Sequence, residues 1–137
     1  MIRPEHLNHH GSLYAGRAAD WMMETTFFAA CLAHGDKEGL MYRNTHEFSF
    51  TKPILNGDIV RVESTIVRVG KKSLTMYCGF VNEETGLTHA VGYTTFVTIN
   101  PKTLKSEEHS IVLDETDDKE ELSWREHANT FFEGIEK

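Results

Sequence analysis

Residues Asn8 to Gly35 read N-H-H-G-S-L-Y-A-G-R-A-A-D-W-M-M-E-T-T-F-F-A-A-C-L-A-H-G. A polar, glycine-punctuated loop opens the stretch, and Ala18 to Ala33 then carries no charge except Asp20 and Glu24. This pattern predicts a helix with Gly35 as its C-terminal cap and His34 at the negative end of the dipole. A helix apolar on nearly every side is one around which other elements wrap. Asp20 and Glu24 stand four residues apart on one face, where like charges repel. A buried helix retains such a pair where something rewards it, so the two acids point to a site.

Upstream, Met1 to Leu7 shows no period, and a few of its residues can pair as an edge strand. Asn8-His9-His10-Gly11 is a turn by composition. Gly16 falls where the helix should begin, and backbone N–H groups at a helix start are unpaired and electropositive. A glycine there lets a ligand oxygen approach them closely.

Downstream, Asp36 to Met41 reads as a loop. The period then changes to two: Thr45 to Phe50 is a strand with Phe48 and Phe50 on one face, ended by Pro53. Asn56-Gly57-Asp58 is a turn, and Ile59 to Val69 a long strand. Gly70-Lys71-Lys72 turns into a strand over Ser73 to Val81, and Asn82 to Gly86 turns into another over Leu87 to Asn100. These read as successive antiparallel strands joined by hairpins. The tail carries a helix capped by Asp117, with Glu120 in the capping-box position and a stripe of Leu122, Ala128, Phe131, Phe132 and Ile135. The expected class is α+β, an antiparallel sheet of four or five strands curled around one helix.

The chain has 137 residues, enough for one domain with its own core. A formal net charge of −7 argues against nucleic acid as the main partner. Much of the excess acid lies in Glu107, Glu108 and Asp114 to Glu121, a solvated tail. Cys31 and Cys78 have no motif spacing and read as core thiols of a reducing compartment. There is no leader-like start and no apolar run long enough to span a bilayer, so the expected location is the cytoplasm, with no membrane partner. His9 and His10 lack Cys, Asp or Glu neighbours at ligand spacing, and no metal is expected.

In order and spacing the motifs resemble the hotdog-fold acyl-CoA thioesterases, especially the cytosolic acyl-CoA hydrolase branch. Asn8-His-His-Gly11-Ser-Leu-Tyr-Ala-Gly16 is similar to that branch's N-x-x-G-T-L-F-G-G loop. Phe50-Thr-Lys-Pro53-Ile-Leu-Asn-Gly57-Asp58 and Val67-Arg-Val-Gly70-Lys-Lys-Ser73 resemble its F-x-x-P-x-x-x-G-D and V-x-x-V-G-x-x-S segments, and Tyr93 to Val97 its closing strand. The resemblance covers roughly residues 8 to 100, with the tail helix at about 117 to 136, all as one domain.

The resemblance implies an acyl-CoA thioesterase that acts as a homodimer, assembled further into a tetramer or hexamer, with no cofactor beyond the CoA of its substrate. It implies that Gly16 and its neighbours donate to the thioester carbonyl and that Asn8 orients water or thioester. It also implies that Arg68, Lys71, Lys72 and Ser73 lie near the CoA phosphates and pantetheine. His9 and His10 fit substrate or water positioning, or a plain polar loop. One departure stands out: the family's catalytic aspartate aligns with Met23, and a thioether neither activates water nor attacks a carbonyl. Glu24, one position on, is the expected base or nucleophile, and Asp20, one turn earlier, the other candidate. Two further classes compete. A non-catalytic hotdog protein that binds a thioester is favoured by Met23, and a dehydratase of the same fold would need His9 or His10 as its catalytic histidine.

Overall fold

The computed structural model describes residues 1–133. Its main helix, α1, spans Ala15–His34, starting one residue before Gly16, where its beginning was expected. Gly35 caps it at φ 83°, the left-handed conformation that a residue without Cβ adopts freely, and its N–H closes on the Cys31 carbonyl. Four strands follow: β1 (Leu40–Phe50), β2 (Val60–Gly70), β3 (Ser73–Asn82) and β4 (Thr88–Thr98). A second helix, α2 (Lys119–Thr130), closes the described chain.

The sheet runs in the order β1-β4-β3-β2 with every pair antiparallel. This corrects a simple succession of hairpins, because β1 pairs with β4 and not with β2. The hairpins themselves follow their turn residues. Lys71 and Lys72 join β2 to β3, and Asn82 Oδ1 accepts the N–H groups of Glu84 and Thr85 at 2.8 and 3.1 Å before β4.

α1 lies across the inner face of the sheet. Ala18, Met22, Thr26 and Ala30, one residue every four, are its fully buried stripe. Ala18 and Met22 pack with Cys78, Phe80 and Ala90, while Ala30 packs with Leu40, Leu74, Met76 and Phe96. Gly92 on β4 is bare because the Met22 thioether occupies the place of a Cβ. Gly92→Ala therefore overpacks a sealed core and should cost about 1–3 kcal/mol, read as a lower chemical-denaturation midpoint with unchanged m.

α2 covers the outer face. Its N-cap is Asp118, one residue later than expected, which accepts from the N–H groups of Glu120 and Glu121. The buried stripe also differs from expectation. Leu122 is exposed, Trp124 stacks on Tyr77 at 3.9 Å and 9°, and Ala128 is sealed against Val67, Tyr77 and Tyr93. Ile135 lies outside the described residues. Covered on both faces, β3 is buried from Leu74 to Asn82. Cys78 sits in that strand, and burial pushes its thiol up to about 12.

Other boundaries shift as well. The expected loop Asp36 to Met41 holds a short 3-10 turn, Lys37–Gly39, and the first residues of β1. Met1 to Leu7 forms no strand: Ile2 exchanges backbone bonds with Asp58 and Gly57, and Pro4–His6 is a 3-10 turn. Among the described residues no helix is long and apolar enough to cross a membrane.

On the outer face His46 is half-buried, and burial first, then Arg43 and Arg68, hold its imidazole below the usual 6.5. The unfolded chain then binds more protons than the folded one in mild acid. His46 thus contributes stability that is complete above about pH 6.5 and is lost as pH falls through its lowered folded value. Melting temperatures at pH 7.5 and 5.5 should show this slope, and His46→Gln should flatten it.

Candidate active site

The start of α1 is built by the Asn8 loop. Asn8 Oδ1 accepts from the N–H groups of His10 and Ser12 at 2.9 and 3.2 Å, and its Nδ2 donates to Ser12 Oγ at 3.1 Å. Gly11 takes φ 81° inside this turn. Leu13 N–H then bonds the Ile54 carbonyl at 2.7 Å, which ties the loop to the Pro53 segment. Between the two lies an open pocket of about 340 Å³, lined from Asn8 to Ala15 on one side and Phe50 to Ile54 on the other.

Tyr14 is the N-cap of α1, extended at φ −64° and ψ 128°, with no side-chain hydrogen bond to the helix. Arg17 and Ala18 N–H turn back onto the Tyr14 carbonyl at 3.0 and 3.1 Å. The N–H groups of Ala15 and Gly16 have no hydrogen-bond partner among the described residues. Two free amides thus sit at the positive end of a twenty-residue helix, with Ala15 on the pocket wall. A Cβ on Gly16 would collide with the Tyr14 ring, which lies over it.

Two turns along, neighbouring residues point in different directions, since one helical step is about 100°. Met23 is half-buried and faces β1, with its Sδ 4.0 Å from Thr45 Oγ1. That hydroxyl also hydrogen-bonds Tyr42 OH at 2.9 Å. Thr94, directly opposite Thr45 in the β1–β4 register, buries a hydroxyl with no hydrogen-bond partner among the described residues. The Met23 thioether thus faces the Thr45 hydroxyl, which is itself bonded to Tyr42. Glu24 and Asp20 point the other way. Both are exposed in the single chain and neither has an ion pair or hydrogen bond among the described residues. The burial expected for this face of the helix does not come from their own subunit. They share their stripe with Phe28 and Leu32, which are 59% and 86% exposed.

The other expected residues are distributed less closely. His9 and His10 are exposed on the Asn8 loop, their rings 3.9 Å apart. Lys71 and Lys72 are exposed at the β2–β3 turn, and the Ser73 carbonyl accepts from His109 Nε2 at 3.0 Å. Arg68 does not join the lysines. A bulge between Ile66 and Arg68 turns it to the outer face, where it is 7% exposed with its guanidinium 3.8 Å from the Phe132 ring. Among the described residues no group of three or more His, Cys, Asp or Glu could hold a metal.

Thr45 and Tyr42 escaped the sequence reading. Thr45 is 22 residues from Met23, and Tyr42 lies in β1 just beyond the expected loop.

The model of the thioesterase superfamily matches residues 10–89, more than half of the chain and all of the helix-start loop after His9. The chain belongs to the thioesterase superfamily. Solved structures with this superfamily's hotdog fold superpose closely. An acyl-CoA hydrolase from Staphylococcus aureus, solved with butyryl coenzyme A, coenzyme A and coenzyme A disulfide, aligns at TM-score 0.86 and 22% identity, over 97% of this chain and 78% of that one. The acyl-CoA hydrolase from Bacillus cereus aligns at 0.80 and 20%, over 94% and 78%. A hexameric hotdog fold thioesterase of Campylobacter jejuni aligns at 0.65 and 20%, over 80% and 86%. No curated protein matches the chain significantly. The sheet with its embracing curve around α1 is thus the hotdog fold, carrying an added C-terminal helix.

Proposed function

We propose that this protein is an acyl-CoA thioesterase whose reaction site is shared between two copies of the chain. The observation that carries the proposal is the pair of free amides at Ala15 and Gly16 beside the Asn8 pocket. Donors fixed in place before reaction stabilise the negative charge that develops on a thioester oxygen. Glu24 supplies the base: it takes a proton from water as the water oxygen attacks the carbonyl carbon, and the tetrahedral adduct then expels CoA as its thiolate. Direct attack by the carboxylate, giving an anhydride that water opens, uses the same residue.

Helix geometry supports a partner. Gly16 and Glu24 are eight residues apart, about 12 Å along the axis, while one carbonyl must be reached from about 3 Å by both donor and base. The two groups that meet one thioester therefore come from different helices. A second copy also accounts for the exposed apolar residues Phe28, Leu32, Met41 and Tyr42 on α1 and on β1, an edge strand. It would also cover Glu24. Further assembly to a tetramer or hexamer is in keeping with the hexameric relative. Lys71 and Lys72 suit the CoA phosphates, and the cytoplasm suits two free cysteines.

A second reading rests on Met23 and Thr45: a binding protein that holds acyl-CoA without cleaving it, because a thioether occupies the polar spot beneath β1. Release of CoA thiol from a panel of acyl-CoAs separates the two.

A further inference from the structure

β1 carries an irregularity that links the two faces of the sheet. Its register with β4 pairs Thr45 with Thr94 and Glu47 with Tyr93, so His46 is an extra residue in a bulge. In an unbroken strand consecutive residues alternate sides, and the bulge puts two of them on one side. Thr45 points inward, to Met23 Sδ and Tyr42 OH. His46 and Glu47 both point outward, under the end of α2.

The contacts of the end of α2 with β1 fall on those two residues. The His46 ring stacks on Phe131 at 4.9 Å and 6°, and meets Phe132 edge-on at 5.1 Å. Its Nε2 bonds Thr95 Oγ1 at 2.6 Å, and Thr95 in turn bonds Thr75 Oγ1 at 2.8 Å. Glu47 Oε2 meets His127 Nε2 at 2.9 Å. Phe131 also packs edge-on against Tyr93, the register partner of Glu47. The middle of α2 is held by Trp124 on Tyr77 in β3, a contact that touches neither His46 nor Glu47.

We propose that the seat of Phe131 on His46 fixes the β1 bulge and thereby the place of the Thr45 hydroxyl in the reaction cleft, making His46 and Phe131 positioning residues that act through Thr45. The proposal deepens the proposed function: it takes the cleft between α1 and β1, where Met23 stands beside Thr45 at the position of the family's catalytic aspartate, as a wall of the thioester site. The physical reason is that a bulge is a weakly determined register: one residue has no backbone partner, and slippage by one place would exchange inward and outward side chains. A ring stack and a buried hydrogen bond on the extra residue remove that freedom. Loss of either lets Thr45 drift, and a small misplacement of a group that lines a reaction site is costly in rate.

The test uses the full chain with methionine methyls labelled with carbon-13, the Met23 signal being assigned with Met23→Leu. Phe131→Ala and His46→Ala should shift or broaden the Met23 methyl resonance. Trp124→Ala, which loosens the middle of α2 without touching His46, should leave that signal in place. In the hydrolysis assay Phe131→Ala should lower kcat about tenfold with KM within about twofold, Trp124→Ala should do neither, and Phe131→Tyr, which keeps the ring, should restore kcat. Should Phe131→Ala fold poorly, Phe131→Leu serves in its place. An unmoved Met23 signal in the Phe131 variant, or an equal fall of kcat in Trp124→Ala, overturns the proposal. Absence of hydrolysis in wild type would refute the thioesterase reading alone, since the methyl signal decides the positioning without turnover.

Discussion

Glu24→Gln lowers the rate of CoA release by roughly 100-fold or more, with little change in KM. Glutamine keeps the size and helix preference of glutamate but neither accepts a proton from water nor attacks a carbonyl. Glu24 is exposed and makes no ion pair within its subunit among the described residues, so the substitution should leave the melting temperature almost unchanged. The loss would then be chemical and not structural. Met23→Leu should have only a small effect, because one apolar side chain replaces another of similar volume beside Thr45. Activity that survives Glu24→Gln and disappears in Asp20→Asn would transfer the role to Asp20, which lies only about 6 Å along the helix from Gly16.

The second large effect is a recovery of activity on mixing subunits. Gly16→Leu places a side chain over the free amides and should abolish turnover by itself, as Glu24→Gln does. In a two-fold dimer with a shared site, one copy gives Gly16 and the other gives Glu24 to each reaction centre. A heterodimer of the two variants then has one site with both defects and one site with none. Random exchange of equal amounts should return about a quarter of wild-type activity: half the dimers are mixed and each has one intact site of two. If a single chain supplied both groups, mixing would restore nothing.

How far the sequence led depends on the range of the interaction behind each feature. α1 was legible because its cap, apolar run and closing glycine are all local, and the hairpins because Gly70 and Asn82 are turn-formers in place. The first residues of β1 were not. An extra residue between Tyr42 and Asn44, and another at His46, break the alternation by which a strand is recognised. The neighbour relation of β1 and β4 was equally hidden, since it joins residues about fifty positions apart, such as Asn44 and Thr95.

In the site, the loop from Asn8 to Gly16 was legible from its glycines and polar residues. The exposed setting of Asp20 and Glu24 was not. A helix apolar on most sides reads as buried whether its own sheet or a second subunit covers each side, and here the sheet covers only the Ala18–Ala30 stripe. Trp124 replaces Leu122 in the seat of α2 because it stands four residues before Ala128 and seven before Phe131, on one helical face, whereas Leu122, six before Ala128, falls off that face. Arg68 was grouped with Lys71 and Lys72 by sequence distance, and the bulge before it separates them.

The most direct test of the account is release of CoA thiol from acyl-CoAs of increasing chain length, aliphatic and aromatic, by the wild-type protein beside Glu24→Gln. The account predicts turnover on at least one of them by wild type and its collapse in the variant. Binding of the same esters with no thiol released from any of them would contradict it, and would make Met23 the mark of a site that holds a thioester without cleaving it.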